Sequence, residues 1–231
     1  MKNKNIIHID SCFDYTELVT EILFKKIQSL EQNSSGKIYI ALSGGNTPLP
    51  ILEKLCNKKL NWEKFVFFLV DERCVPNQDE SSNYGNIKKI FYNSIPSESY
   101  SIVKNGKTYQ ESTELYGQEI IQNVPFKDEV PSFDLILLGM GDDGHTASLF
   151  PNTFALKENK KFVVLNEVPQ LNTSRITLTY PVLKNAKEVL VLMKGEQKEQ
   201  IMNQMYSEEN ISYPMYKVIQ EQNNLSWIIS K

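Results

Sequence analysis

The chain has 231 residues and two histidines, and one of these, His145, directly follows the glycine turn Gly139-Met140-Gly141-Asp142-Asp143-Gly144. An imidazole titrates near neutrality, which suits it to general-base work. The glycines permit a tight turn and let backbone come close to a ligand. The turn also has G-x-G-x-x-G spacing, but its two adjacent acids would face a pyrophosphate, so dinucleotide binding is discounted. Elsewhere, Ser43-Gly44-Gly45-Asn46-Thr47-Pro48 presents small residues and backbone N–H groups at a helix start. Unpaired N–H groups and the helix dipole make such a place a seat for phosphate; the plainer reading is a simple strand-to-helix turn. It lacks the lysine-bearing pattern of a P-loop. A third place, Asp71-Glu72-Arg73, sets a carboxylate able to orient an imidazole or take a proton beside a guanidinium whose planar fork fits phosphate or carboxylate. Its plainer reading is a set of solvated charges at a strand end.

Other chemistries find less support. His145 and Asp143 have no further His or Cys ligands evident beside them, so no metal is expected. Ser43 is not in a G-x-S-x-G elbow. Cys74 next to Arg73 invites a lowered thiol pKa, but the surrounding loop adds nothing to a covalent mechanism. His8 lies in a strand-like stretch without polar company and reads as structural.

Elements must bring the three places together. Residues 135–138 are an uninterrupted apolar run, the pattern of a strand buried on both faces, and residues 146–148 read as a helix start after the glycine turn. Further strands are expected at residues 6–9, 38–42, 65–70, 162–165, 175–178, 189–193 and 225–229. Asp14, three residues before Glu17, opens an amphipathic helix whose apolar stripe runs to Leu30. Thr47 and Pro48 form an N-cap and first-turn pair for a second helix. More helices are expected over 83–92, 109–123, 196–206 and 213–220, with loops at 74–82 and 168–174. The alternation implies a single α/β domain over residues 1–231, Rossmann-like, with a mainly parallel sheet and helices on both faces. Parallel strands point their carboxyl ends the same way, so the turns at Ser43, Asp71 and Gly139 are expected to meet in one crevice.

Bulk properties narrow the class. A hydrophobic fraction of 41% and a charged fraction of 23% are ordinary for a soluble globular protein. A net charge of −3 offers no basic surface for nucleic acid or anionic membrane. The N-terminal apolar stretch is too short and polar for a secretory segment, and no run approaches the ~20 apolar residues of a membrane span. Three widely spaced cysteines suggest neither disulfides nor zinc. The expected protein is cytoplasmic, a monomer or weak homodimer, acting on a small molecule.

Four blocks resemble a known family: ALSGGNTP (41–48), VDERCVP with SSN following (70–83), LGMGDDGHTASLFP (138–151) and RITLT (175–179). They are similar to the 6-phosphogluconolactonases, within the wider group that includes glucosamine-6-phosphate deaminases, and the likeness continues through VLVLMKGEQK (189–198) and LSWII (225–229). The resemblance implies a deaminase/lactonase-type fold and hydrolysis of 6-phospho-D-glucono-1,5-lactone to 6-phosphogluconate, the second step of the oxidative pentose phosphate pathway. It implies neither metal nor organic cofactor. By it His145 is the general base, Asp71 and Arg73 lie in the pocket, and Ser43, Gly44, Gly45 and Thr47 face the phosphate. Gly141 lies on the substrate-binding turn, and Arg175 and Lys198 add positive charge. Where the family usually has a Lys-Pro-rich stretch, this chain has VPQLNTS (168–174), so one basic contact is missing. The deaminases carry a glutamate five residues after the histidine, where this chain has Phe150, and tend to Asp-Glu-Tyr where it has Asp71-Glu72-Arg73. Both differences favour the lactonase over a deaminase. The same fold as a sugar-phosphate-binding protein without turnover is the remaining alternative.

Overall fold

Short strands made almost wholly of apolar residues need cover on both faces, and helices between them supply it. All five residues of Phe65–Leu69 are buried, so neither face of that strand meets water. The computed structural model describes residues 5–208 and 212–230. In chain order the first half runs β1 (Asn5–Ile9), α1 (Tyr15–Asn33), β2 (Ile38–Leu42), α2 (Pro48–Leu55), β3 (Phe65–Leu69), β4 (Asp71–Arg73), α3 (Asn83–Ile90), β5 (Glu98–Ser99) and α4 (Tyr109–Asn123). The second half runs β6 (Phe126–Lys127), β7 (Val130–Pro131), β8 (Leu135–Gly139), β9 (Val163–Val168), β10 (Thr173–Leu178), α5 (Tyr180–Asn185), β11 (Val189–Lys194), α6 (Glu196–Ser207), α7 (Pro214–Glu221) and β12 (Leu225–Ser230).

Seven strands form one parallel sheet in the order β1-β12-β11-β8-β2-β3-β5. From β2 the chain builds outward through β3 to β5, then returns to β8 on the other side of β2 and builds the opposite way. The switch point therefore lies between β2 and β8, and a crevice opens there at the strands' carboxyl ends. Ser43, just past β2, donates its backbone N–H to Leu137 O at 3.1 Å, tying the two turns together at that point. The core is continuous across the sheet, with Phe67, Phe68, Leu135, Val191 and Trp227 all essentially without exposure. No helix among the described residues is long and apolar enough to cross a membrane.

The helix starts show which local signals act. Asp14 caps α1 by accepting from Glu17 N at 3.1 Å, as its spacing predicts. Thr47, by contrast, makes no side-chain cap, and its backbone is already helical. A capping hydroxyl would accept from the second or third N–H of the helix, but Pro50 has none and Leu49 N donates to Gly45 O at 3.4 Å, so the hydroxyl is not required there.

Two expected features are corrected. Residues 71–73 are not a turn at a parallel strand's end: they form β4 of a separate antiparallel sheet, β4-β10-β9. Residues 168–174 are not a loop either, because Pro169-Gln170-Leu171 make one 3-10 turn and Asn172 at φ 46° reverses the chain into a β9–β10 hairpin. The change of sheet after β3 leaves Leu69's backbone needing partners. The fully buried Tyr116 hydroxyl from α4 provides them, bonding both Leu69 N and Leu69 O at 2.7 Å.

Candidate active site

The segments at Ser43, Asp71 and Gly139 do meet in one crevice, the second of them as strand β4 and not as a turn. The β2–α2 turn contributes Ser43, Gly44, Gly45 and Thr47 to a lobe of about 280 Å³. Asp71, Arg73, Gly141, His145 and Lys198 line the same lobe. Arg175 lines an adjoining lobe of about 440 Å³, which shares Asp71, Arg73, His145 and Ala147 with the first. The two lobes thus form one cleft with His145 at their junction.

Each wall has a local reason for its shape. Gly44 packs against the buried Asn83, and a Cβ on Gly44 would fall 2.0 Å from Asn83 Oδ1. Gly45 turns the chain into α2 with φ 98°, a conformation open to glycine. Gly141 lies beneath the imidazole, where a Cβ would stand 2.2 Å from His145 Cε1. Gly144 at φ 72° lies against the Tyr213 ring and its carbonyl accepts a hydrogen bond from Met215 N at 3.0 Å, so the start of α7 braces the histidine turn.

Residues 146–148 do not start a helix. Thr146 and Leu149 bridge antiparallel across a tight turn in which Ala147 has φ 50°. Ser148 anchors that turn three ways. Its N–H donates to Thr177 Oγ1 at 3.1 Å, its carbonyl accepts from Asn166 Nδ2 at 2.9 Å, and its hydroxyl donates to Asp71 Oδ2 at 2.5 Å. The fully buried Asn166 and Thr177 sit on β9 and β10, so the small antiparallel sheet exists partly to hold the histidine loop.

The imidazole's partner is Asp143, not Asp71. His145 Nδ1 lies 2.5 Å from Asp143 Oδ1, which also accepts from His145 N at 3.1 Å. Asp71, held by Ser148, faces the cleft from the opposite wall. Asp143 was legible only as an acid near the histidine; an Asp two residues ahead of a His is the signal that points to it. Asn83, Ser148 and Asn166 carried no such signal. Phe150 stacks on His145 with ring centroids 4.0 Å apart.

The cleft is rich in charge. Arg73 and Arg175 are directly paired across β4 and β10. Burial first, and then the neighbouring Arg73 charge, work against the charge on Arg175 and lower its pKa. An anion between them would relieve that repulsion. Lys198, on the first turn of α6, stands 3.9 Å from Asp142 Oδ1 at the rim. Behind β4, Glu72 is fully buried and its carboxylate accepts from the N–H groups of Arg73, Asn83 and Tyr84 and from the Ser82 hydroxyl. Burial nonetheless outweighs those bonds and holds its pKa above the ordinary range. Its task is to fasten the start of α3, with Asn83, to the floor of the cleft.

Two minor expectations change. Cys74 is not activated by Arg73, since burial pushes its thiol up to about 11. His8 has polar company after all, with Nδ1 3.7 Å from Glu199 Oε1. Among the described residues no group of three or more His, Cys, Asp or Glu side chains is placed to hold a metal.

A histidine–aspartate pair thus stands at the switch point, in the same cleft as the turn at residues 43–47. The family described as glucosamine-6-phosphate isomerases/6-phosphogluconolactonase matches residues 14–227. The chain belongs to that family. A 6-phosphogluconolactonase of Chlamydia pneumoniae is 39% identical over 210 residues, covering 88% of this chain and 78% of its own. One from Thermotoga maritima is 32% identical over 220 residues, 94% of each chain. The crystal structure of 6-phosphogluconolactonase from Thermotoga maritima superposes with a TM-score of 0.86 at 30% identity, over 99% of this chain and all of that one. The family match thus spans nearly the whole chain, and the fold is that of the Thermotoga maritima structure.

Proposed function

We propose that the protein hydrolyses 6-phospho-D-glucono-1,5-lactone to 6-phospho-D-gluconate, the second step of the oxidative pentose phosphate pathway. One observation carries the mechanism: His145 is held on Nδ1 by Asp143 at the junction of two lobes that offer an anion seat. Asp143 fixes the tautomer in which Nε2 is free to accept a proton. His145 Nε2 then takes a proton from a water as its oxygen bonds to the lactone carbonyl carbon. The tetrahedral oxyanion is steadied by Arg73 or by backbone N–H groups of the glycine turn. Collapse breaks the bond to the ring oxygen, which leaves with the proton from His145, giving a hydroxyl and a carboxylic acid that releases its proton to solvent as the carboxylate. Asp71 is free to orient the water, because the imidazole already has its carboxylate. The phosphate lies at the Ser43-Gly44-Gly45 turn with Thr47, and Lys198 and Arg175 add positive charge.

A cyclic ester is already reactive, so general-base assistance of ~10²–10⁴-fold with good positioning is enough without a covalent intermediate. The test is a coupled assay of lactone opening, corrected for spontaneous hydrolysis. His145→Ala is expected to lose about 10²-fold or more in kcat. Undiminished turnover would sink the base assignment, and release of ammonia from glucosamine 6-phosphate by the native protein would move the reading to a deaminase.

A further inference from the structure

We propose that Phe150 is a positioning residue for His145, forming with Gly141 a slot that fixes the plane of the imidazole. The rings of Phe150 and His145 are stacked, 4.0 Å between centroids and 30° between planes. Phe150 is itself only 6% exposed, so its ring is held by its surroundings. The Nδ1–Cε1 side of the imidazole lies close against Gly141, where any Cβ would come within 2.2 Å of both atoms. The histidine ring is therefore confined by Phe150 on one face and by Gly141 and Asp143 at its Nδ1–Cε1 side, with the rest left to the cleft.

Backbone geometry explains why the two rings meet. Thr146 and Leu149 are bridged, and Leu149 N donates to Thr146 O at 3.0 Å. The next pair outward from that bridge is His145 and Phe150, which puts their side chains opposite each other, as in a hairpin. The turn requires Ala147 at φ 50°, a backbone that non-glycine residues seldom adopt. The triple anchoring of Ser148 holds it there. Strain that is over-determined in this way, beside reacting groups, is characteristic of a functional constraint.

The slot supplies what a hydrogen bond does not. The terminal torsion of histidine is soft. The bond from Nδ1 to Asp143 fixes one atom but leaves the ring able to swing about it. The stacked ring and the close backbone of Gly141 restrict that swing and give Nε2 a single direction into the cleft. Phe150 has no donor or acceptor, so it acts through His145 alone. It also lines the second lobe, and direct contact with substrate is the competing role.

The inference rests on His145 being the base, and the experiment separates the two. The full chain is compared with Phe150→Leu, Phe150→Tyr and His145→Ala by steady-state kinetics and by spectra of the imidazole C–H protons. Only two histidines need assignment, and His145→Ala identifies the relevant signal. In the native protein that signal is expected upfield of the His8 signal, because it lies over an aromatic face. Phe150→Leu should abolish the displacement and lower kcat by about 10–10²-fold with KM within about twofold. Phe150→Tyr, which keeps a flat ring, should restore both. An undisplaced native signal overturns the proposal, as does a Phe150→Leu variant with unchanged kcat, whether or not its KM rises. A Phe150→Tyr variant as impaired as Phe150→Leu also overturns it. Full activity in His145→Ala would refute the base role instead, while the native spectrum still tests the slot.

Discussion

A carboxylate two residues ahead of a histidine can reach both that residue's N–H and its ring, and Asp143 does so here. In the proposed mechanism the pair gives Nε2 its acceptor role and stabilises the imidazolium formed when it takes a proton. Asp143→Asn presents an amide of the same shape, whose NH₂ favours the other tautomer or leaves the bond unmade. We expect kcat to fall by about 10²-fold or more with little change in KM, because the proposed phosphate seat lies elsewhere. Equal activity in the Asn variant, measured by lactone opening, would remove Asp143 from the mechanism. Gly141→Ala should do comparable damage from below, since its Cβ occupies the place of the imidazole. His145 was legible in the sequence because three glycines preceding a histidine at a strand's end are unusual. The identity of its partner was not legible, since both Asp71 and Asp143 are acids near the site and only the fold decides which meets Nδ1.

At the scale of elements, β4 is the piece that turns a parallel sheet into a site. It leaves the main sheet after β3, pairs with β10, and through Glu72 fastens the first turn of α3. Glu72→Gln replaces one accepting oxygen with a donor pointed at N–H groups that have no other partner. A buried donor left unsatisfied costs roughly 1–3 kcal/mol, so we expect a loss of about 2 kcal/mol or more by denaturant unfolding. A loss below about half a kcal/mol would show that water takes over the cap. The parallel strands other than the two-residue β5, and α4, were readable because period and apolar runs are local properties, and residues 38–42 and 109–123 match β2 and α4 end to end. β4 was not readable, since three charged residues carry no strand signal and their pairing with β10 joins segments about a hundred residues apart. The small residues 146–148 misled for a related reason. They suit a helix start, but bonds to Asp71, Asn166 and Thr177 hold them in a turn.

The whole molecule is organised about the switch point, with strands built outward on both sides of β2 and β8. A cleft made at the junction of two half-sheets keeps its geometry only if the halves fold as one unit. The two tryptophans report on the halves separately. Trp62 packs on Phe65, Phe67 and Phe91 beside β3, while Trp227 is fully buried in β12 near the opposite edge. The hydrophobic core runs unbroken between them, through Leu42, Leu137 and Val191. Trp62→Phe and Trp227→Phe each leave a single fluorescent reporter, at one end of the sheet or the other. In each variant we expect the fluorescence midpoint in urea to coincide with that of far-UV circular dichroism, the signature of one cooperative transition. The variants themselves will differ in stability, so the comparison is made within each. A Trp227 transition that separates from the backbone signal would mean that β1, β11 and β12 melt as a sub-unit. His145 would then stand on the border between two foldons, and the single-domain reading of the chain would fall.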